Sequence, residues 1–258
     1  MIKRIIFLLL LSTITTTGYG QDWLRILSGA VKVGQALTLG DSELADIVRQ
    51  SVNSMDKESN VCPESSSYTK RLRRITQGMT DADGIPLNFK VYSTDQLNAF
   101  ACPDGSVRVF SGLMDILTDD ELLGVIGHEI GHVALRHSKK AWKDELLRSA
   151  TSDAIGAFSD TWAGLSESVI GSISSVAISA QFSKEQERKA DDYGYEFLKE
   201  CGKNPWAIAL AFKKMKEFSK KGDGKYDILL RAFSTHPDFE ERIERIRKKA
   251  VSDGYSIK

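Results

Sequence analysis

Residues 118–132 read Thr118-Asp119-Asp120-Glu121-Leu122-Leu123-Gly124-Val125-Ile126-Gly127-His128-Glu129-Ile130-Gly131-His132, and the rest of the chain is organised around them. Thr118 followed three residues later by Glu121 is the start of a capped helix: hydroxyl and carboxylate each take a backbone N–H that the first turn leaves without a partner. A helix advances about 100° per residue, so His128 and His132 lie about 40° apart on one face, with Glu129 roughly 60° from His132. Two neutral imidazoles at that spacing can hold one zinc ion, leaving Glu129 beside the metal to act on its water. The competing reading is a buried helix that happens to contain two histidines. With four histidines in the whole chain, two of them flanking a glutamate at this interval favours the metal.

Length and composition suit one domain, or one domain with a helical extension, able to bury a sizeable core. Lys and Arg together number 35 and so do Asp and Glu, which gives no indication of a nucleic-acid or polyanion partner. Residues 1–20 stand apart. Lys3-Arg4 is a positive start, Ile5 to Leu11 an apolar run, and a small-polar tract ends at Gly18-Tyr19-Gly20. That order is a secretory signal, with the mature start near Gln21. The apolar run is short for a membrane span, and no cysteine that could carry a lipid precedes Cys62. The expectation is an exported, periplasmic, soluble protein, with peripheral contact to the outer membrane left open. Residues 21–258 form one domain in this reading: N-terminal helices over 21–80, a core with the His-Glu helix over 85–202 and C-terminal helices over 203–258. Cys62, Cys102 and Cys201 predict one disulfide and one free thiol in an oxidising compartment, without saying which pair bonds. None has zinc-ligand spacing.

Helices are expected at 23–37, at 42–55 with Leu44, Ile47 and Val48 on one side, and from Tyr68 to Met79 on the spacing of Tyr68, Leu72, Ile75 and Met79. Asp83-Gly84 breaks that pattern. Leu87, Phe89 and Val91 alternate as a half-buried strand does. Residues 97–102 and 106–111 read as two more strands, joined through Pro103-Asp104-Gly105 as a hairpin, with the His-Glu helix following directly. The fold class is therefore α+β, mostly helical, with a small antiparallel sheet packed on the helix that carries the histidines. Residues 150–180, rich in Ala, Gly and Ser, suit either a buried helix pair or a flap; Asp153, Asp160 and Glu167 argue against a membrane span. Ser183 and Gln186 open a helix that Gly202 closes. Asn204-Pro205 begins the next, to about Phe218, and a last one runs from about Pro237 to Ala250 with Phe239, Ile243 and Ile246 inward.

A catalytic zinc needs a third protein ligand and an open position. The metzincin pattern requires Gly at 135 and His at 138; Leu135 and Ser138 exclude it. His137, continued along the same helix, falls about 140° away from His132 and so away from the metal, near a helix C-terminus that suits an imidazolium. The helix over 183–201 offers Glu187 and Asp191, which share a face with Gly194 and Leu198, whereas Glu185 lies about 200° from Glu187 on the solvent side. Acids are rarely buried unless paired or metal-bound. Phase and zinc preference favour Glu187 as the ligand and Asp191 as acceptor for a ligating histidine's N–H, although helix phase alone allows the two to exchange roles.

His128-Glu129-Ile130-Gly131-His132 together with Glu187-Arg188-Lys189-Ala190-Asp191 resembles the gluzincin metallopeptidases of the HtpX and CAAX-prenyl-protease superfamily. Asn98-Ala99-Phe100, Val109-Phe110-Ser111-Gly112-Leu113-Met114 and Thr235-His236-Pro237 match as well. The similarity covers roughly residues 40–250 and points to the exported, transmembrane-free YggG/LoiP-like members. It implies a minimal gluzincin-like zincin fold and one Zn²⁺ per chain held by His128, His132 and Glu187, with Asp191 behind them. Lys184 stands where the family usually has Arg, and Asp238 where a second Pro is common.

The activity this implies is zinc-dependent endoproteolysis of protein or peptide substrates, misfolded or exported envelope proteins by analogy. Glu129 acts as general base and acid. Asn98 and Ala99 bind an extended substrate by strand pairing. His236 stabilises the oxyanion, or fills the open metal position and holds the enzyme off, or caps the last helix. The competing class is a zinc-containing chaperone that binds unfolded exported proteins without cutting them, which would leave Glu129 without a purpose.

Overall fold

The computed structural model describes residues 40–151, 180–220, 236 and 238–257, with backbone alone at 147–151, 219 and 220. The signal sequence, the helix over 23–37, nearly all of the 150–180 segment and the start of the last helix at Pro237 lie outside the described residues. Among them run helices α1 (Asp41–Glu58) and α2 (Ser67–Ile75), strands β1 (Asp81–Ala82), β2 (Ile85–Pro86), β3 (Asn88–Tyr92), β4 (Ala99–Ala101) and β5 (Ser106–Phe110), then helices α3 (Ser111–Ile116), α4 (Asp119–Ala134), α5 (His137–Thr151), α6 (Lys184–Glu200), α7 (Ala207–Lys220) and α8 (Phe239–Ser252).

The architecture is α+β and mainly helical, as the sequence predicts. The expected hairpin is present: β4 pairs antiparallel with β5, and the Gly105 N–H closes the turn on the Cys102 carbonyl with φ +83°. The third strand, β3, joins the far edge of β5 in parallel, so the sheet is mixed, in the order β3-β5-β4. Alternation along a strand says which residues face the core but not which way a neighbour runs. Asp83 and Gly84 form the tight β1–β2 turn, both with positive φ. The helix expected to reach Met79 ends at Ile75, with Gly78 in the left-handed region just beyond. A short helix, α3, intervenes between β5 and α4, because Ser111 Oγ and Gly112 N–H both bind the Thr94 carbonyl and turn the chain there.

The sheet is covered on both faces. Val107 and Val109 of β5 join Leu122, Val125, Ile126 and Ile130 of α4. Phe110, Tyr92 and Phe100 face Leu44, Ile47, Val48 and Val52 of α1, with Trp142 and Leu146 of α5. Arg108, 1% exposed, lies on that second face and pairs through Nε with Asp56 of α1 at 2.8 Å. A third apolar cluster joins Leu123 of α4 to Tyr195 and Leu198 of α6, Trp206 and Phe212 at α7, and Phe239 and Ile246 of α8. The expected disulfide is absent: all three cysteines are free, Cys102 buried under α1, Cys62 ahead of α2 and Cys201 exposed at the end of α6. No helix among the described residues is long and apolar enough to cross a membrane.

Candidate metal centre

The two capping boxes read from sequence both form. Thr118 accepts from Glu121 N while Glu121 accepts from Thr118 N, and Ser183 and Gln186 make the same exchange at α6. They fix where α4 and α6 begin, and so the phase of every side chain that follows. The helices then touch backbone to backbone. A Cβ on Gly194 of α6 would lie 3.0 Å from the His128 backbone nitrogen, and one on Gly131 of α4 would lie 3.2 Å from the Ala190 carbonyl oxygen. This closeness lets a glutamate on one helix reach histidines on the other.

His128, Glu129 and His132 of α4 and Glu187 and Asp191 of α6 are all buried. His128 Nε2 and His132 Nε2 are 3.1 Å apart; His132 Nε2 is 3.4 Å from Glu187 Oε1, and His128 Nε2 is 3.6 Å from Glu187 Oε2. A tetrahedral zinc ion with bonds of about 2.0–2.2 Å separates its donors by about 3.3 Å. The spacing of these three side chains therefore matches one face of such a coordination shell. Among the described residues, Glu187 Oε2 has no hydrogen-bond partner; its ion-pair partner Arg242 Nη1 stands 2.5 Å away but outside hydrogen-bond alignment. A carboxylate oxygen with no aligned donor, beside two converging ring nitrogens, suits a cation among them. The donors fit zinc.

Electrostatics agree. Burial drives the His132 ring well below the ordinary histidine value, leaving a neutral lone pair. Burial disfavours the charged form of Glu187, but the charge of His236 and contacts from His132 and His128 override it and hold the carboxyl far below its ordinary range. Burial raises the Glu129 carboxyl, the direction a proton acceptor near neutral pH requires.

Asp191 is set back from the donors. Its Oδ1 lies 3.1 Å from His128 Nδ1, the nitrogen facing away from the cluster. Burial opposes its charge, yet Arg242 and His128 hold it at about 2. Arg242 is the residue the sequence reading missed. Only 2% exposed, it donates from Nε and Nη2 to Asp191 at 2.9 and 2.6 Å, and its guanidinium lies over the Phe212 ring. The signal was an arginine three residues past Phe239, on the apolar stripe that ends at Ile246.

His236 joins the cluster, Nδ1 being 2.9 Å from Glu187 Oε1 and 3.3 Å from His128 Nε2, with Nε2 3.6 Å from Glu129 Oε1. One donor atom from each of His128, His132, Glu187 and His236 falls within 4.8 Å of the others. Lys184 and Asp238, the two departures from the family pattern, form an ion pair at 2.8 Å that ties the segment bearing His236 to α6. Asn98 and Ala99 line a cavity of about 20 Å³ with His128, Glu129, His236 and Arg242, room for about one water molecule. A wider groove of about 760 Å³ runs between α1 and the β2–β3 edge and contains none of these residues.

His137 departs from expectation. Helix α4 stops at Ala134, Arg136 turns into the left-handed region at φ +61°, and His137 begins α5. Its Nδ1 thereby comes to 3.1 Å from His132 Nδ1, where an unbroken helix would have carried it away.

Comparison with known proteins agrees with these contacts. The profile of peptidase family M48 matches residues 66–250. Metalloprotease LoiP of Escherichia coli K12 is 35% identical over 98% of this chain and 98% of its own length. Metalloprotease YcaL of the same organism is 36% identical over 91% of this chain and 90% of its own. The beta-barrel assembly-enhancing protease of that organism is 26% identical over 85% of this chain but 45% of itself.

Proposed function

The chain belongs to peptidase family M48, and on that premise we propose that it is a zinc-dependent endopeptidase acting on misfolded or mislocalised proteins of the cell envelope, with residues 21–258 as its single exported domain. The observation that carries the reading is the convergence of His128 Nε2, His132 Nε2 and Glu187 at 3.1–3.6 Å, with Glu129 buried beside them. His128, His132 and Glu187 would hold one zinc ion, which supplies a Lewis acid that polarises the scissile carbonyl and acidifies water. Glu129 takes a proton from the attacking water and returns it to the leaving amine. Asp191 orients His128 through Nδ1 and is itself held by Arg242.

Substrate enters along β4, an edge strand of its sheet. The Asn98 carbonyl accepts from Phe110 N–H within the sheet, so alternation turns the N–H and C=O of Ala99 away from β5. There the Asn98 side-chain Oδ1 takes that N–H at 2.9 Å until a substrate strand replaces it. An extended peptide pairing there runs past His128 and Glu129. LoiP and YcaL are named metalloproteases, which supports the activity, and the name of the beta-barrel assembly-enhancing protease supports an envelope setting.

Glu129→Gln tests the chemistry. The variant should bind zinc as the parent does and lose cleavage of casein, which in the parent should stop with chelator and return with zinc. Continued cleavage by the variant would remove Glu129 from its role. Zinc binding and client holding without cleavage in the parent would favour the chaperone reading.

A further inference from the structure

His132 is fully buried, and its Nε2 faces His128 and Glu187. A neutral imidazole carries one proton on one nitrogen and a lone pair on the other. If Nε2 is to donate to a metal, the proton sits on Nδ1, and a buried N–H needs an acceptor. For His128 that acceptor is the carboxylate of Asp191. For His132 the partner within reach is another imidazole, His137 Nδ1 at 3.1 Å. We propose that His137 is the positioning residue of the metal centre, accepting the Nδ1–H of His132 and so fixing the tautomer that turns Nε2 to the ion. This rests on the zinc reading above and extends it to a residue outside the His-Glu-x-x-His motif.

The local fold is built to place that ring. The left-handed turn at Arg136 ends α4 two residues after its last helical residue. Arg136 is held by Asp83 at 2.9 Å, and Ser138 Oγ donates to the Ala101 carbonyl of β4. His137, between these anchors, is 8% exposed. The Phe182 ring stacks on His132, with centroids 3.8 Å apart and 27° between planes, so the imidazole is held through its face as well as its edge. The two ligating histidines thus have unlike supports, a charged carboxylate on one and a neutral ring on the other.

The test is zinc affinity by chelator competition in His137→Leu, which keeps bulk but accepts nothing, and His137→Asn, whose Oδ1 can stand where Nδ1 stood. Loss of such a supporting partner weakens metal binding about 10–100-fold. The expected result is that Leu weakens zinc binding within that range while Asn recovers most of it, with little change in the unfolding midpoint of either metal-free protein. Equal affinity in the parent and Leu variant, or equal losses in Leu and Asn that follow stability, would overturn the proposal. Should the Leu variant fail to fold, ring-nitrogen NMR of the zinc-loaded parent decides: a proton on His132 Nδ1 supports the proposal, and a bare Nδ1 ends it. A parent that binds no zinc would refute the metal reading itself, a distinct result.

Discussion

Gly194→Ala probes the contact on which the whole centre depends. The added methyl would sit 3.0 Å from the His128 backbone nitrogen, 3.3 Å from its Cα and 3.0 Å from Ile208 Cδ1. Carbon contacts are comfortable at about 3.5–4.0 Å, and a backbone in mid-helix cannot swing aside, so α4 and α6 must separate by about 0.5 Å. The His128–Glu187 edge, now 3.6 Å, then grows further beyond the roughly 3.3 Å that a zinc ion spans. Overpacking of this kind costs about 1–3 kcal/mol, against which alanine recovers up to about 1 kcal/mol of helix propensity. A net loss of about 1–2 kcal/mol in the metal-free protein follows, read as a lower urea midpoint, together with weaker zinc binding in chelator competition. Gly127→Ala is the control. Its methyl would lie 2.5 Å from Phe197 Cδ1 and 3.2 Å from Cγ, so the Phe197 side chain as a whole must shift, whereas the nearest atoms at Gly194 include the His128 backbone. Gly127→Ala should lose stability yet keep more of its zinc affinity; if Gly194→Ala were as stable as the parent and bound zinc as tightly, backbone contact would not be what aligns the two halves.

His236→Ala separates the roles open to that side chain. With Nδ1 at ligand distance from the cluster, the expected result is weaker zinc binding and faster peptide cleavage; slower cleavage would instead mark an oxyanion role, and no change a capping one. A second prediction concerns pH and lies away from the site. Burial opposes the charge of Asp56, but hydrogen bonds from Arg108, Lys90 and Tyr92 hold its carboxyl below the ordinary 3.8. Its contribution to stability is therefore present above about pH 4 and lost as pH falls through the folded-state value. Urea unfolding of the parent and Asp56→Asn from pH 7 down to 3 should show a gap that narrows on the acid side, and a gap independent of pH would refute the assignment.

How much was legible in the sequence follows from how local each signal is. The starts of α4 and α6 rest on exchanges between residues three apart, Thr118 with Glu121 and Ser183 with Gln186, and both were readable. Helix phase also carries side-chain direction within each element, so it showed that His128 and His132 share a face and that Glu187 and Asp191 point inward, but it left those two acids interchangeable. His137 was misplaced because no glycine or proline marks the end of α4; the turn falls on Arg136, a residue that enters the left-handed region only at a cost. The parallel pairing of β3 was hidden for a related reason, since Phe89 and Val91 alternate in the same way whichever direction the neighbouring strand runs.

Arg242 shows what no local reading supplies. Glu187, Asp191 and Glu129 are three carboxyl groups buried within one small region, and burying charge without compensation is costly. A divalent ion would offset part of that charge, but the chain must also fold before any ion binds. Arg242 meets that need from α8, through Asp191 on one side and beside Glu187 on the other. Its backbone direction is set by Phe239 and Ile246 packing on Phe212 and the rest of the third apolar cluster. The final helix is thus part of the candidate metal centre in two ways. It holds the two acids of α6 in place, and it fixes the segment from which His236 reaches the donors. The site is therefore completed only when α8 docks, more than a hundred residues after the motif that first announced it.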